Sequence, residues 1–232
     1  MPKSIIEVQQ LEFAWESEQT PVLSIASFKV LEQERIFIKG PSGCGKSTLL
    51  GLLGGVMLPQ SGEIRILDQS LIGLSRGDRD RFRGDHIGFV FQMFNLIPYL
   101  SVIDNVTLPC RFSERRRRRA AAQSTVENEA QRLLDHLGLT DNTIKAKAAT
   151  DLSVGQQQRV AVARALIGSP EIIIADEPTS ALDTDLRDAF IRLLMADCNT
   201  NGTTLLFVSH DGGLSPHFDR VIDFGHINRS TH

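Results

Sequence analysis

Gly40-Pro-Ser-Gly-Cys-Gly-Lys46-Ser47 matches G-x-x-x-x-G-K-[ST], a loop whose backbone N–H groups wrap nucleotide phosphates. Its flanks agree with that reading. The apolar run Ile36-Phe-Ile38 precedes it and the helix-like stretch Thr48-Leu-Leu-Gly-Leu-Leu follows it, which is the strand–loop–helix order such a loop requires. Gly40, Gly43 and Gly45 let the backbone curl close to the phosphates, where side chains would obstruct it. Lys46 has the reach for β- and γ-phosphates, and the Ser47 hydroxyl suits Mg²⁺. The candidate cradle is thus Gly40, Pro41, Ser42, Gly43, Cys44, Gly45, Lys46, Ser47 and Thr48. A chance Gly-rich turn does not explain the strand and helix on either side. Alone, the loop says only that a nucleotide binds.

Ile172-Ile-Ile-Ala-Asp176-Glu177 is its natural complement. An apolar strand ending in Asp sets a carboxylate at the C-terminal edge of a sheet, where it can hold Mg²⁺ through the ion's water shell. Glu177 points another way and suits a general base for an attacking water.

Outward from these segments, short apolar runs alternate with helix-length stretches. Residues 4–8, 27–30, 35–39, 62–67, 87–91, 172–175, 205–209 and 221–224 read as strands. That alternation argues for an α/β fold with a mostly parallel sheet covered by helices on both faces. Residues 93–168 show no convincing strand but two helical patterns, residues 118–137 and residues 153–167. One domain over residues 1–232 follows, with a core at 1–92 and 169–232 and a helical subdomain at about 93–168. At 232 residues and 41% apolar, the chain suffices for such a core, and a net charge of −3 offers no global attraction to nucleic acid. Cys44, Cys110 and Cys198 are widely spaced, as reduced thiols of a cytosolic protein would be. No apolar run reaches the ~18 residues of a membrane span, and the N-terminus has no signal-peptide core, so spanning helices would come from another chain.

A distant segment, Leu152-Ser-Val-Gly-Gln156, resembles the signature sequence of the ABC ATPases. The resemblance covers nearly the whole chain, because the family's order of motifs recurs: phosphate loop, Gln92, Leu152-Ser-Val-Gly-Gln156, Asp176-Glu177, Ser180-Ala-Leu-Asp183 and His210. Each short match is weak; together and in register they are specific. The family likeness implies a P-loop NTPase core of the RecA-like type with an N-terminal antiparallel β part and an inserted α-helical subdomain. It implies ATP and Mg²⁺ as cofactors, with Ser47, Gln92 and Asp176 at the metal. Glu177, His210, Lys46 and Gln92 are the implied catalytic set. Adenine is expected to stack on an aromatic in the first strand-to-strand turn, Trp15 ahead of Phe13.

The resemblance further implies a dimer, in which Ser153, Gly155 and Gln156 of one subunit contact ATP bound to the other. Val154 stands where the commonest signature has Gly. A β-branched residue resists positive φ, so the backbone there is expected to be helical or extended. This departure bears on the strength of dimer closure and leaves a homodimer or an unequal pair open.

Gln92-Met-Phe-Asn-Leu-Ile-Pro-Tyr-Leu-Ser-Val-Ile-Asp-Asn-Val-Thr-Leu-Pro109 resembles the branch of lipoprotein-release, macrolide-export and division-linked ATPases. That branch implies an integral membrane permease with a large periplasmic domain and a place at the cytoplasmic face of the bacterial inner membrane. Phe94, Leu96, Ile97 and Tyr99 are either an apolar socket for the permease's coupling helix or ordinary packing between lobes. The run Arg115 to Arg119 reads as a solvated helix start, or as cations seeking an anionic lipid or acidic loop. The leading function is an ATPase subunit driving export or lipid/lipoprotein extraction. The alternatives are a mechanotransmission ATPase that signals through its permease without moving cargo, and a soluble ABC ATPase of DNA repair or translation. The last fits less well, because such proteins usually carry long coiled coils or two fused ATPase domains and this sequence shows neither, and nucleic acid is not an expected partner. The remaining histidines show no metal-ligand spacing.

Overall fold

Alternating burial sets the first strands of the chain, whose computed structural model describes residues 3–15, 20–179 and 184–230. β1 (Ser4–Phe13) pairs antiparallel with β2 (Leu23–Leu31), with Val8 opposite Phe28 and Leu11 opposite Ile25. β1 runs five residues past the expected end at Val8. Gln10 sits at φ 50 where the pairing register with a neighbouring strand shifts, so a bulge changes the phase of the alternation and hides the continuation. β3 (Arg35–Lys39) carries Ile36, Phe37 and Ile38, all fully buried. α1 (Lys46–Leu53) buries Leu49, Leu50, Leu52 and Leu53. β4 (Ser61–Ile66) and β5 (Gln69–Ser70) complete an antiparallel sheet of order β2-β1-β4-β5, and α2 (Arg76–His86) follows.

Next come β6 (Ile87–Val90), α3 (Val102–Phe112), α4 (Glu114–Ala120), α5 (Val126–His136), α6 (Asn142–Lys145), α7 (Val154–Leu166), β7 (Ile172–Asp176) and α8 (Thr184–Asn201). The chain closes with β8 (Thr204–Val208), β9 (Arg220–Asp223) and α9 (Phe224–Ile227). Packing divides it into two compact units, residues 1–83 with 204–232, and residues 84–203.

In the first unit β3 lies between β8 and β9, parallel to both. All five residues of β8 are buried, and the Phe37 and Phe207 rings stack with centroids 6.0 Å apart. Continuous apolar runs of this kind mark parallel strands covered on both faces. In the second unit β6 and β7 form a parallel pair, with Val90 opposite Ala175.

The helical stretch departs from expectation in three ways. Residues 118–137 form parts of two helices rather than one. Thr125 breaks the run because its side chain accepts from the Asn128 N–H and caps α5, while Ser113 caps α4 in the same way through Arg116. Secondly, Arg115 to Arg119 follow directly on the start of α4 but are not simply solvated. Glu114 occupies the first turn of α4 and Arg117, Arg118 and Arg119 the last, a favourable order for the helix dipole at both ends. Their counter-ions are internal: Arg117 and Arg118 pair with Glu114, and Arg115 and Arg119 pair with Glu171. Burial pushes Glu171 upward. Hydrogen bonding with His86 and Arg115, and the charges of His86 and Arg119, outweigh that and bring its carboxyl down to about 2. An anionic lipid or acidic loop is not needed to explain the run.

Thirdly, Arg116 is a core residue, 2% exposed. Its guanidinium donates to the carbonyls of Ile167 at 2.7 Å, Ala165 at 2.6 Å and Arg164 at 3.2 Å, closing the C-terminal end of α7. Gly168, at φ 71, follows that end, and a Cβ there would lie 2.6 Å from the Arg116 carbonyl oxygen. Burial lowers Arg116 to about 10, so it remains charged at neutral pH. On the same helix Arg164, also lowered by burial, donates to the Phe94 and Asn95 carbonyls. Replacing Arg116 by Met removes the donors for three helix-end carbonyls, each costing about 1–3 kcal/mol when left unpaired. Arg116→Met should therefore lose about 3 kcal/mol or more, measured by urea unfolding against wild type.

Candidate functional site

The first unit holds one set of predicted residues. β3 delivers the chain into the loop at residues 40–45, and α1 begins at Lys46 with Gly45 as its N-cap. Gly45 sits at φ 102, and no side chain caps the helix, so its first N–H groups face the loop. A Cβ on Gly45 would come within 2.9 Å of Leu23 Cδ2, and one on Gly40 within 3.0 Å of Phe224 Cβ. Gly43 is also left-handed, at φ 80. Pro41, Ser42, Gly43 and Ser47 are exposed, and Cys44, Gly45 and Thr48 are half-buried. This is a backbone cradle with donors at one end and a cation beneath. The cation is Lys46, 7% exposed, whose ammonium donates to the Gly40 carbonyl at 2.8 Å and the Pro41 carbonyl at 2.7 Å.

Parallel pairing brings His210 to the same edge. Ile38 lies opposite Val208, so the loop starts two residues beyond one partner and His210 stands two residues beyond the other. Ser209 is buried, its N–H donates to the Ile38 carbonyl, and its hydroxyl accepts from the Asp211 N–H; His210 itself is exposed. Trp15 is 44% exposed and rests edge-on against Phe13, centroids 5.1 Å apart, while Phe13 is buried. Of the two aromatics, Trp15 is the one with a face available.

The second unit holds the rest. The Val90–Ala175 pairing places Gln92 and Glu177 at the same edge of the β6–β7 pair, each two residues beyond that paired position. Gln92 is exposed; Asp176, the last residue of β7, and Glu177 are half-buried. Glu177 has φ 47, a left-handed conformation that turns its side chain away from the strand's alternation. Ser180-Ala-Leu-Asp183 lies outside the described residues. After Gln92 the chain reverses through Phe94 (φ 57) and Asn95 (φ 48). Phe94 is buried at 6% exposure because this reversal turns it inward, so of the two readings given for it ordinary packing fits better than a socket. Met93 and Tyr99, 80% and 81% exposed, are the apolar groups on that surface.

Ser153 caps α7 in a reciprocal box: its hydroxyl accepts from the Gln156 N–H, and the Gln156 side chain accepts from the Ser153 N–H. Val154 is the first helical residue, as its β-branching leads one to expect, and is 49% exposed. The cap uses a lone pair of the Ser153 hydroxyl and leaves its O–H free to donate. The N–H groups of Val154 and Gly155 have no place in the helix's own ladder. Lower on the same helix, Gln158 is buried and donates to the Pro178 carbonyl at 2.6 Å. Neither Gln158 nor Arg164 was singled out in the sequence; polar residues in the otherwise apolar run of α7 were the signal.

Ser47 offers a hydroxyl oxygen, Gln92 an amide oxygen and Asp176 a carboxylate, types of donor that suit Mg²⁺ rather than a softer metal. Gly45→Ala should force the loop out of its left-handed turn and weaken ATP binding at least tenfold, measured by titration calorimetry.

Comparison with known proteins agrees. The sequence family described as ABC transporter matches residues 23–180. The lipoprotein-releasing system ATP-binding protein LolD of Syntrophotalea carbinolica is 39% identical over 221 residues, 94% of this chain and 94% of that protein. The macrolide export ATP-binding/permease protein MacB of Haemophilus ducreyi is 37% identical over 225 residues, 96% of this chain but 31% of that longer protein. Among solved structures, the dimeric post-hydrolysis state of the ATP-binding cassette MJ0796 bound to ADP and Pi superposes with a TM-score of 0.81. It is 34% identical and covers 94% of this chain and 93% of that one.

Proposed function

This chain belongs to the ABC transporter family as an ATP-hydrolysing nucleotide-binding subunit of the LolD and MacB type, and we propose that it works as a dimer on a membrane permease to drive export or lipoprotein extraction. The names of the relatives support the direction of work, and the dimeric neighbour supports the pairing. Among the described residues no helix is long and apolar enough to cross a membrane. The spanning helices, and with them a large periplasmic domain, are assigned to the permease, and this subunit to the cytoplasmic face of the inner membrane.

One observation carries the two-subunit reading: the exposed, self-capped start of α7, where among the described residues the Ser153 O–H and the Val154 and Gly155 N–H groups meet no acceptor. Donors at a helix N-terminus suit an anion, and the γ-phosphate of ATP held by the second subunit is the proposed one. Val154 leaves these donors in place, since it takes the helical conformation.

The remaining residues act on the subunit's own nucleotide. Trp15 stacks on adenine. The backbone of residues 40–48 binds the phosphates, and the Lys46 ammonium leaves the Gly40 and Pro41 carbonyls for the β- and γ-phosphate oxygens. Ser47, Gln92 and Asp176 are the oxygens that would hold Mg²⁺, which neutralises phosphate charge when bound. Glu177 orients the attacking water and takes its proton, and His210 and Lys46 donate to the γ-phosphate oxygens as charge develops on them. The helical segment at residues 93–168 serves as the lobe that presents α7. Met93 and Tyr99 offer the permease an exposed apolar contact.

Glu177→Gln should keep ATP binding, lose at least about 100-fold in turnover and run as a dimer with ATP on size exclusion; wild-type turnover in this variant removes the assigned base. Ser153→Ala should lower turnover about tenfold or more while the isolated subunit still binds ATP, measured by phosphate release beside calorimetry.

A further inference from the structure

Glu177 holds a backbone conformation that its own sequence opposes. It is a non-glycine residue at φ 47, and it precedes Pro178, whose ring favours an extended neighbour on its N-terminal side. Such a residue stays left-handed only where its surroundings over-determine it. The segment beyond it is buried, with Thr179 4% exposed. Proline has no N–H, so the Pro178 carbonyl is the one backbone group through which a neighbour can grip that residue by a conventional hydrogen bond. Gln158 grips it: the side chain is 2% exposed, and its amide donates to the carbonyl at 2.6 Å.

We propose that Gln158 is a positioning residue for Glu177, and that it ties the base of one subunit to the signature helix the same subunit extends toward its partner's ATP. The inference rests on the reading of Glu177 as general base. Gln158 lies five residues from Ser153 on α7, about 7.5 Å along the helix axis. Arg116 ties the far end of α7 to α4, and continuous helical backbone joins Ser153 to Gln158, so the two cannot shift independently. A shift of Ser153 toward the partner's γ-phosphate therefore displaces Gln158 and, through the Pro178 carbonyl, the backbone that aims Glu177. Losing the amide donor removes this hold on the Pro178 carbonyl and lets residues 177 and 178 shift toward extended pre-proline geometry, which swings the carboxylate off the water. Misplacement of a catalytic group by about 1 Å costs on the order of 100-fold in rate.

Gln158→Met keeps the length of the side chain and removes the donor. In the purified chain with Mg-ATP, single-turnover hydrolysis should fall about 100-fold while the ATP dissociation constant stays within about threefold. Introduced beside Glu177→Gln, the same change should lower the residual rate by less than about twofold, because a residue acting through Glu177 has nothing left to position. Hydrolysis within twofold of wild type in Gln158→Met, or equal losses in both backgrounds, overturns the proposal. So does a loss confined to ATP affinity. If Gln158→Met does not fold, Gln158→Asn, whose amide stops one methylene short, replaces it under the same criteria. Glu177→Gln alone separates the two ideas: full activity there sinks the base assignment, whereas full activity in Gln158→Met sinks only the clamp.

Discussion

Two buried guanidinium groups solvated by backbone carbonyls hold α7 in place, and most of the second unit's chemistry depends on that helix. Arg116 closes its C-terminal end through three carbonyls, and Arg164 reaches from it to the carbonyls of Phe94 and Asn95. A buried cation left unpaired costs far more than one surrounded by acceptors, so both groups and the carbonyls they serve are bound to one another. The consequence is positional. The N-terminal Ser153, the loop after Gln92 and the turn after Glu177 are all fixed relative to the same thirteen-residue helix.

The first unit solves a different problem. Its parallel strands converge on one edge, where β3 feeds the phosphate loop and β8 feeds His210. Gly45 lets the loop pass into α1 in a left-handed turn without a side-chain cap, leaving amide donors for a ligand. Lys46 is already buried among that loop's carbonyls, so its charge is held at the cradle by the backbone it serves. The N-terminal antiparallel sheet contributes Trp15, steadied by the edge of Phe13.

Much of this was legible beforehand where one short segment carries both the chemistry and its flanks. β3 has the expected bounds, and α7 starts at Val154, one residue inside the expected stretch, with Ser153 as its cap. Where periodicity had to be read across an irregularity, it misled. The Gln10 bulge hid the second half of β1, and the Thr125 cap split an apparently continuous helix. The five consecutive arginines show the limit most clearly. The sequence suggested a solvated helix start or cations seeking an outside anion, whereas Arg116 is in the core and its neighbours meet Glu114 or Glu171. Phe94 went the same way, turned inward by a left-handed pair that no residue type announces.

The order of residues alone determined the α/β class, the glycine-rich loop after β3, Asp176 at the end of β7 and the start of α7, because each is written in neighbouring positions whose backbone needs are local. Tertiary structure decided which cations are buried and what they hold. Arg116 meets Ile167 across 51 positions of sequence, and Gln158 meets Pro178 across 20. Hydrogen bonds of that kind depend on where separate elements come to rest, and a carbonyl that needs a donor leaves no trace in the identity of its residue.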